Sequence, residues 1–113
     1  MKLDDIIREC GLAVQNPAGE TAREVTGAYA SDLLSDVMAN AGDGHLWITL
    51  QTHVNIVAVA MLRNISGIIL VNGRVPEENT LAKAREEDIP ILSTTLPAFE
   101  IAGRLHDLGL RGS

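Results

Sequence analysis

The sequence has few basic residues and almost no aromatic ones. Nine Lys and Arg stand against fifteen Asp and Glu in 113 residues, so the net charge at pH 7 is −6. Binding of nucleic acid or of an anionic membrane usually needs clustered Lys and Arg. Lysine occurs only at Lys2 and Lys83, and the arginines are scattered. We therefore expect neither kind of partner, and a core built from Val, Ile, Leu, Ala and Met.

Cysteine and long apolar runs are also scarce. Cys10 is the single cysteine, so an internal disulfide cannot form, which fits a reducing cytoplasm. The first five residues include two acids and lack the apolar stretch of a secretory signal. The longest apolar run, 56–62, is far shorter than the ~20 residues that span a bilayer. The expected location is the cytoplasm.

The common catalytic motifs are missing. A phosphate-binding P-loop needs a Gly-Lys-Ser/Thr sequence, and neither lysine follows a glycine. The patterns Gly-x-Gly-x-x-Gly and Gly-x-Ser-x-Gly do not occur. The conceivable metal ligands, none three or four residues from another, are Cys10, His45, His53 and His106. We expect no catalytic residue, no metal and no cofactor.

Three strand-then-helix units fill the second two-thirds of the chain. The predicted strands are 45–50, 67–71 and 91–93, and the helices that follow them are 55–64, 76–88 and 97–108. Alternating strands and helices indicate parallel pairing with right-handed crossovers. We predict a single α/β domain over residues 1–113, with a central, mostly parallel β-sheet and flanking helices.

The first third of the chain is less regular. A short amphipathic helix is predicted over 4–10 and ends at Gly11. Residues 12–14 and 24–26 resemble strands on either side of a loop at 16–20. Ser31 and Asp32 are then expected to cap a helix that reaches about Ala41.

Polar residues follow all three predicted strands of the second part. Because the carboxyl ends of parallel strands lie at one edge of a sheet, where small ligands bind, we expect them to form a binding site. Some precede a helix, whose free N–H groups favour an anion. The alternative is that these residues only cap helices and turn the chain. The candidates are Thr49, Gln51, Thr52, His53, Asn55, Asn72, Gly73, Arg74, Ser93 and Thr94.

The apolar stretch 56–62 bears on partners. A helix that is apolar on all sides must be covered on all sides, and one small domain covers one side with its sheet. We therefore predict a homodimer with two-fold symmetry. Two alternatives remain: the N-terminal segment folds over this helix, or part of the stretch is a strand.

Four short motifs follow one another along the chain. Arg-Glu-Val-Thr-Gly occupies 23–27 and Gly-His-Leu-Trp-Ile-Thr occupies 44–49. Gly-Ile-Ile-Leu occupies 67–70 and Ile-Pro-Ile-Leu-Ser-Thr occupies 89–94. These motifs and their order resemble the DRTGG domain over almost the whole chain, with the second motif only close to that family's Gly-Asp-Leu-x-Ile-Thr. The chain departs from the family at 51–53, where Gln-Thr-His replaces Gly-Asp-Arg. It departs again at 71–73, where Val-Asn-Gly replaces Thr-Gly-Gly, so the ligand or its binding mode can differ here.

The resemblance implies a regulatory role. DRTGG domains occur beside cystathionine-β-synthase-type (CBS) modules, and they are similar to the N-terminal domain of HPr kinase/phosphorylase. We therefore expect a non-catalytic regulatory or sensory domain that binds a small anionic or nucleotide-like ligand at the strand ends. The alternative is a protein–protein adaptor that docks on a partner enzyme. Phosphotransfer of the HPr serine kinase type is the least favoured function, because the P-loop is missing.

Overall fold

In the computed structural model of the protein, helices cover both faces of a five-stranded sheet. The structure describes residues 1–16 and 21–112. Within these ranges the strands are β1 (Ala13–Val14), β2 (Gly27–Ala30), β3 (His45–Thr49), β4 (Gly67–Leu70) and β5 (Ile91–Ser93). The helices are α1 (Leu3–Cys10), α2 (Leu34–Asn40), α3 (Asn55–Leu62), α4 (Glu78–Glu86) and α5 (Ala98–Asp107).

The strands lie in the order β1-β5-β4-β3-β2. From β2 to β5 each strand pairs in parallel with the next one along the chain, and β1 pairs antiparallel with β5. Leu46 lies opposite Gly67, and Ile69 lies opposite Leu92. Because all three parallel connections step in the same direction, right-handed crossovers place α2, α3 and α4 on the same face of the sheet.

Each face of the sheet has its own apolar core. On one face, the core contains residues of α1 and α5, among them Ile6 and Ile101. On the other, it contains residues of the crossover helices, among them Val37, Val57 and Ala84. α1 and α5, which do not connect parallel strands, therefore cover the face opposite to α2, α3 and α4.

Successive residues of a strand belong to opposite cores. In β3, Leu46 and Ile48 lie in the core with α1 and α5, and Trp47 lies in the core with α2, α3 and α4, as the two-residue period of a strand requires. The Trp47 side chain is fully buried, and its Nε1–H donates a hydrogen bond of 2.8 Å to the carbonyl of Ser31. The one polar group of this large side chain is thus paired.

The predicted fold class is confirmed. The strands and helices predicted from residue 45 onward are present, with ends that differ from the prediction by at most about two residues. The helix near the N-terminus is present as α1, and it ends at Gly11 in the left-handed conformation, with φ of 62°.

The strand predicted over 24–26 is wrong. β2 occupies Gly27–Ala30, and Glu24 forms only an isolated bridge with Lys2. The Gly-Ala-Tyr-Ala sequence of β2 lacks the β-branched residues that favour strands, and its pairing along β3 holds it in the sheet. A Cβ on Gly27 would lie 2.4 Å from the carbonyl oxygen of Arg111, so only glycine fits there without a shift of the backbone.

The capping role predicted for Ser31 and Asp32 is also wrong. α2 begins at Leu34, and no side chain caps its N-terminus. Ser31 Oγ accepts a hydrogen bond of 3.2 Å from the N–H of Leu33, within the preceding turn. Asp32 Oδ1 instead accepts hydrogen bonds from Thr49 Oγ1 and from the N–H of Leu50, at the end of β3.

The apolar helix α3 is largely covered by its own chain. It contacts both α2 and α4 on one face of the sheet. Its buried residues are Ile56, Val57, Val59 and Ala60. Among its large side chains, Met61 and Leu62 are exposed, by 44% and 71%. The case for a partner subunit therefore rests on this end of the helix, and self-association stays a prediction.

The loop predicted at 16–20 is described only at Asn16, and residues 17–20 lie outside the described residues. The Asn16 side chain is fully buried: its Nδ2 donates to the carbonyl of Ile89 at 2.6 Å, and its Oδ1 accepts from the N–H of Ile91 at 2.7 Å. These two bonds hold the start of β5. In the described ranges, no helix is long and apolar enough to cross a membrane.

Candidate functional site

The carboxyl ends of β2, β3, β4 and β5 lie along one edge of the sheet, here called the carboxyl edge. After β2, β3 and β4 the chain crosses to the face with α2, α3 and α4, whereas after β5 it crosses to the face with α1 and α5. The chain therefore leaves β4 and β5 in opposite directions. In open α/β sheets, ligands bind at such a topological switch point.

A cavity of about 300 Å³, here called the switch-point cavity, lies at this position. It is lined by Gly11, Ala13, Gln15, Gly73, Arg74, Val75, Ser93, Thr94 and Thr95. Ser93 Oγ accepts a hydrogen bond of 2.7 Å from Gln15 Nε2, and Thr94 Oγ1 accepts one of 3.1 Å from the N–H of Leu96. Both hydroxyl groups can still donate a hydrogen bond to a ligand.

Arg74 gives the switch-point cavity a positive charge. Its side chain is exposed and makes no ion pair with any described residue. Among the described residues that line this cavity, none is acidic. A guanidinium group offers five N–H donors in a fixed plane and binds carboxylate or phosphate by charge-assisted hydrogen bonds. The cavity is therefore suited to an anionic group.

A second cavity, of about 190 Å³, lies between the ends of β2, β3 and β4 and is here called the Asp32 cavity. It is lined by Ala30, Ser31, Asp32, Ile48, Thr49, Leu50, Val71, Asn72 and Ala98. Oδ1 of Asp32 accepts hydrogen bonds from Thr49 Oγ1 at 2.8 Å and from the N–H of Leu50 at 2.7 Å. These bonds fix the Asp32 carboxylate at the carboxyl edge of the sheet.

The predicted site residues fall into three groups. Gly73, Arg74, Ser93 and Thr94 line the switch-point cavity, and Thr49 and Asn72 line the Asp32 cavity. The remaining four line neither cavity, and they are Gln51, Thr52, His53 and Asn55.

The residues that follow β3 bond to the protein itself. Gln51 Nε2 donates to the carbonyl of Asp32 at 2.9 Å. The carbonyl of Thr52 accepts from Thr80 Oγ1 at 2.8 Å, which ties this loop to the start of α4. His53 Nδ1 accepts from the N–H of Asn55 at 3.2 Å and contacts the Asn55 side chain. These bonds are those of a turn that leads into α3.

Sequence reasoning missed two residues of this edge. The sequence predicts Asp32 as a helix cap, because it predicts the preceding strand at 24–26, too early for Asp32 to follow its end. Gln15 belongs to the segment after β1, which runs antiparallel to β5, and no pattern in the sequence pairs these two distant segments. A strand predicted at 27–30 would place Asp32 just after a strand end, and so among the candidate site residues.

The clearest shifts in side-chain pKa lie outside both cavities. Burial lowers the pKa of His45 and raises the pKa of the Cys10 thiol. The hydroxyl of Tyr29 donates to Asp36 Oδ2 at 2.7 Å, which lowers the pKa of Asp36 and raises that of Tyr29. In the described part of the chain, no three His, Cys, Asp or Glu residues are placed to hold a metal ion.

A larger cavity, of about 400 Å³, lies at the opposite edge of the sheet, between the segments that precede β2, β3 and β4. Its walls include Glu24 and Asp43 as well as Arg23, and Arg23 pairs with Asp88 at 3.6 Å. Size alone does not select a binding site, and the switch-point rule favours the carboxyl edge.

Comparison with known proteins identifies a family and a solved structure of similar fold. The family model of the DRTGG domain matches residues 13–108. The regulatory region of Clostridium perfringens pyrophosphatase, with its CBS and DRTGG domains, was solved in complex with its activator, diadenosine tetraphosphate, and resembles this chain with a TM-score of 0.71 and 20% identity. The match covers 92% of this chain and 45% of that one, and at this identity it shows the fold alone. No curated protein matches the chain.

Proposed function

The chain belongs to the DRTGG domain family, and from this we propose that it is a non-catalytic regulatory domain. In this proposal it binds a small anionic or nucleotide-like ligand at the carboxyl edge of its sheet. The solved Clostridium perfringens region with the same fold is regulatory, and its activator is a nucleotide. Because this chain spans less than half of that region, the likeness supports the proposal without extending the activator to this chain.

The divergence of the chain after β4 and β5 carries the proposal. The segments directly after these strands stay joined, because the N–H groups of Asn72 and Gly73 donate to the carbonyls of Leu96 and Thr94. The switch-point cavity lies beside them, at the edge where open α/β sheets bind ligands. Arg74 and the hydroxyls of Ser93 and Thr94 supply hydrogen-bond donors there. A set of donors with one positive charge favours a phosphate or carboxylate group.

Isothermal titration calorimetry with adenosine monophosphate, adenosine triphosphate and diadenosine tetraphosphate tests this proposal. We expect at least one of them to bind, and Arg74→Gln to weaken it by about tenfold to a hundredfold, since a hydrogen bond to a charged group is worth ~1.5–3 kcal/mol. Arg85→Gln is the matched control, because Arg85 is exposed on α4, away from the cavity, and loses the same charge. Equal weakening by both variants, or no binding of any nucleotide, would refute the proposal.

Docking on a partner protein, or self-association as a homodimer, is the second candidate function. The exposed end of α3 favours it, because the consecutive residues Met61 and Leu62 are both exposed to solvent. Light scattering coupled to gel filtration would show a dimer in the wild type and a monomer for Leu62→Asp. A wild-type protein that is monomeric at high concentration would exclude the homodimer.

Phosphotransfer of the HPr serine kinase type ranks last. Lys83 forms ion pairs with Glu86 and Glu87 at 3.7 and 3.4 Å along α4, so its ammonium group is engaged on the helix surface. We also propose a cytoplasmic location, because the single cysteine, Cys10, is buried as a free thiol and suits a reducing compartment.

A further inference from the structure

Asp32 presents one oxygen of its carboxylate to protein donors and the other to the Asp32 cavity or solvent. Oδ1 accepts two hydrogen bonds, from Thr49 Oγ1 and from the N–H of Leu50. Oδ2 receives none from any residue that the structure describes. Its free lone pairs can accept hydrogen bonds from a ligand.

The segment that carries Asp32 is held on both sides. The N–H of Ser31 donates to the carbonyl of Ile48 at 3.1 Å, and Gln51 Nε2 donates to the carbonyl of Asp32 at 2.9 Å. With Oδ1 also bonded, the position of Oδ2 is set before any ligand arrives. A group fixed in this way loses little conformational freedom on binding.

The walls around Asp32 are mostly apolar. Five of the nine lining residues are apolar, namely Ala30, Ile48, Leu50, Val71 and Ala98, and the polar ones besides Asp32 are Ser31, Thr49 and Asn72. A mostly apolar cavity with a few placed polar groups is typical of a small-molecule site. Because an ionised carboxylate accepts hydrogen bonds and repels anions, the part of a ligand that enters here must donate.

The two cavities are adjacent through one turn. Asn72 lines the Asp32 cavity, and the next two residues, Gly73 and Arg74, line the switch-point cavity. Consecutive Cα atoms are ~3.8 Å apart. The turn is itself bonded to the segment after β5, since the N–H groups of Asn72 and Gly73 donate to the carbonyls of Leu96 and Thr94. A ligand that occupies both cavities must pass over this turn, with its anionic group towards Arg74 and a donor group towards Asp32. A nucleoside phosphate has this arrangement, because its sugar hydroxyls lie a few bonds from its phosphate.

We infer that Asp32 accepts hydrogen bonds from the ribose hydroxyls of a nucleotide and selects ribonucleotides over analogues that lack these hydroxyls. The inference rests on the proposed function, since it concerns the same ligand. It assigns the phosphate to Arg74 and the sugar to Asp32.

Calorimetry with adenosine triphosphate and its 2′,3′-dideoxy analogue tests the inference on wild type, Asp32→Asn and Arg74→Gln. Asp32→Asn keeps Oδ1 for Thr49 and Leu50 and replaces only Oδ2, so its melting temperature should stay close to that of the wild type. We expect the wild type to bind the ribonucleotide at least about tenfold more tightly than the analogue. In Asp32→Asn the two affinities should become nearly equal. In Arg74→Gln both should fall while their ratio is preserved.

The outcomes separate the two proposals. Wild-type binding without discrimination between the two nucleotides overturns the role of Asp32, and this result needs no variant. Discrimination that survives in Asp32→Asn overturns it as well. In either case, weakening by Arg74→Gln alone would leave the proposed function standing. If neither nucleotide binds, the ribose role falls; if adenosine monophosphate and diadenosine tetraphosphate also fail, so does the nucleotide proposal.

Discussion

Thr49 Oγ1 donates a hydrogen bond of 2.8 Å to Oδ1 of Asp32, and this bond joins the end of β3 to the segment that follows β2. Thr49 is 1% exposed, and its hydroxyl also accepts from the N–H of Gln51 at 3.1 Å. The hydroxyl therefore links both segments that leave these strands. Its loss should affect stability as well as the Asp32 cavity.

Thr49→Val keeps the shape of the side chain and removes the hydroxyl. We expect the free energy of unfolding to fall by about 1–3 kcal/mol, because the N–H of Gln51 and Oδ1 of Asp32 each lose a partner. Urea denaturation measures this change. In a double-mutant cycle with Asp32→Ala, Thr49→Val should cost less in the variant background; equal costs in both backgrounds would show that the two residues do not interact.

Asn16→Ala should be among the most destabilising changes in the chain. It removes the partners of the carbonyl of Ile89 and the N–H of Ile91 at a fully buried position. Each unsatisfied buried group costs ~1–3 kcal/mol, so we expect a loss of about 2–5 kcal/mol in the free energy of unfolding. Asn79→Ala, at an exposed position of α4, is the control and should have little effect. Similar losses in the two variants would contradict this role.

Gly27→Ala and Gly103→Ala should act in opposite directions. A Cβ on Gly27 would lie 2.4 Å from the carbonyl oxygen of Arg111 and 2.9 Å from His45 Nε2. We expect Gly27→Ala to destabilise by about 1–3 kcal/mol through overpacking. Gly103 has free space and lies inside α5, so alanine there should stabilise by about 0.5–1 kcal/mol. Thermal unfolding of the two variants checks the signs, and a neutral Gly27→Ala would contradict the steric account.

The stability of the protein should decrease as the pH falls through the ordinary pKa of histidine, about 6.5. Burial lowers the pKa of His45, and its Nδ1 accepts from the N–H of Gly42 at 3.0 Å, so the folded state favours the neutral ring. Just below pH 6.5 the unfolded chain binds the proton first, and the free energy of unfolding falls until the folded pKa is passed. Chemical denaturation at pH 7.5, 6.5 and 5.5 measures the slope.

His45→Asn supplies an acceptor for Gly42 without titrating, so it should reduce this slope. His106→Asn, at an exposed position, is the matched control and should retain it. A slope that His45→Asn leaves unchanged would assign the pH dependence to other groups.

The parallel part of the fold could be predicted because its signals are local. Apolar strands at 67–70 and 91–93, with Pro90 and Pro97 at the boundaries, differ in period from the helices that follow them. β2 could not be found in this way, since Gly27 and its alanines carry no strand signal. Its place depends on pairing with β3 and on the close approach of Arg111.

The candidate site could be predicted in part for the same reason. Residues that directly follow β4 and β5, such as Arg74 and Thr94, line a cavity because these strands were placed correctly. Thr52 and His53 do not, because the chain turns after β3 towards α4 and α3, and its direction depends on tertiary hydrogen bonds. Asp32 is not among the predicted site residues, because the strand before it is predicted too early. Its hydrogen-bond partners lie 17 and 18 positions away, so no local pattern indicates them.

Contacts on the two faces of the sheet join segments at different distances along the chain, and from this we expect an order of folding. β3 and β4 pair across about 20 residues, whereas Gln15 reaches Ser93 across 78. A fourfold longer loop costs ~1.2 kcal/mol more to close, and distant pairings slow folding. The crossover helices can thus pack on their strands before β1 pairs with β5. Amide hydrogens of β1 and α1 would then exchange with solvent before those of β3 and β4.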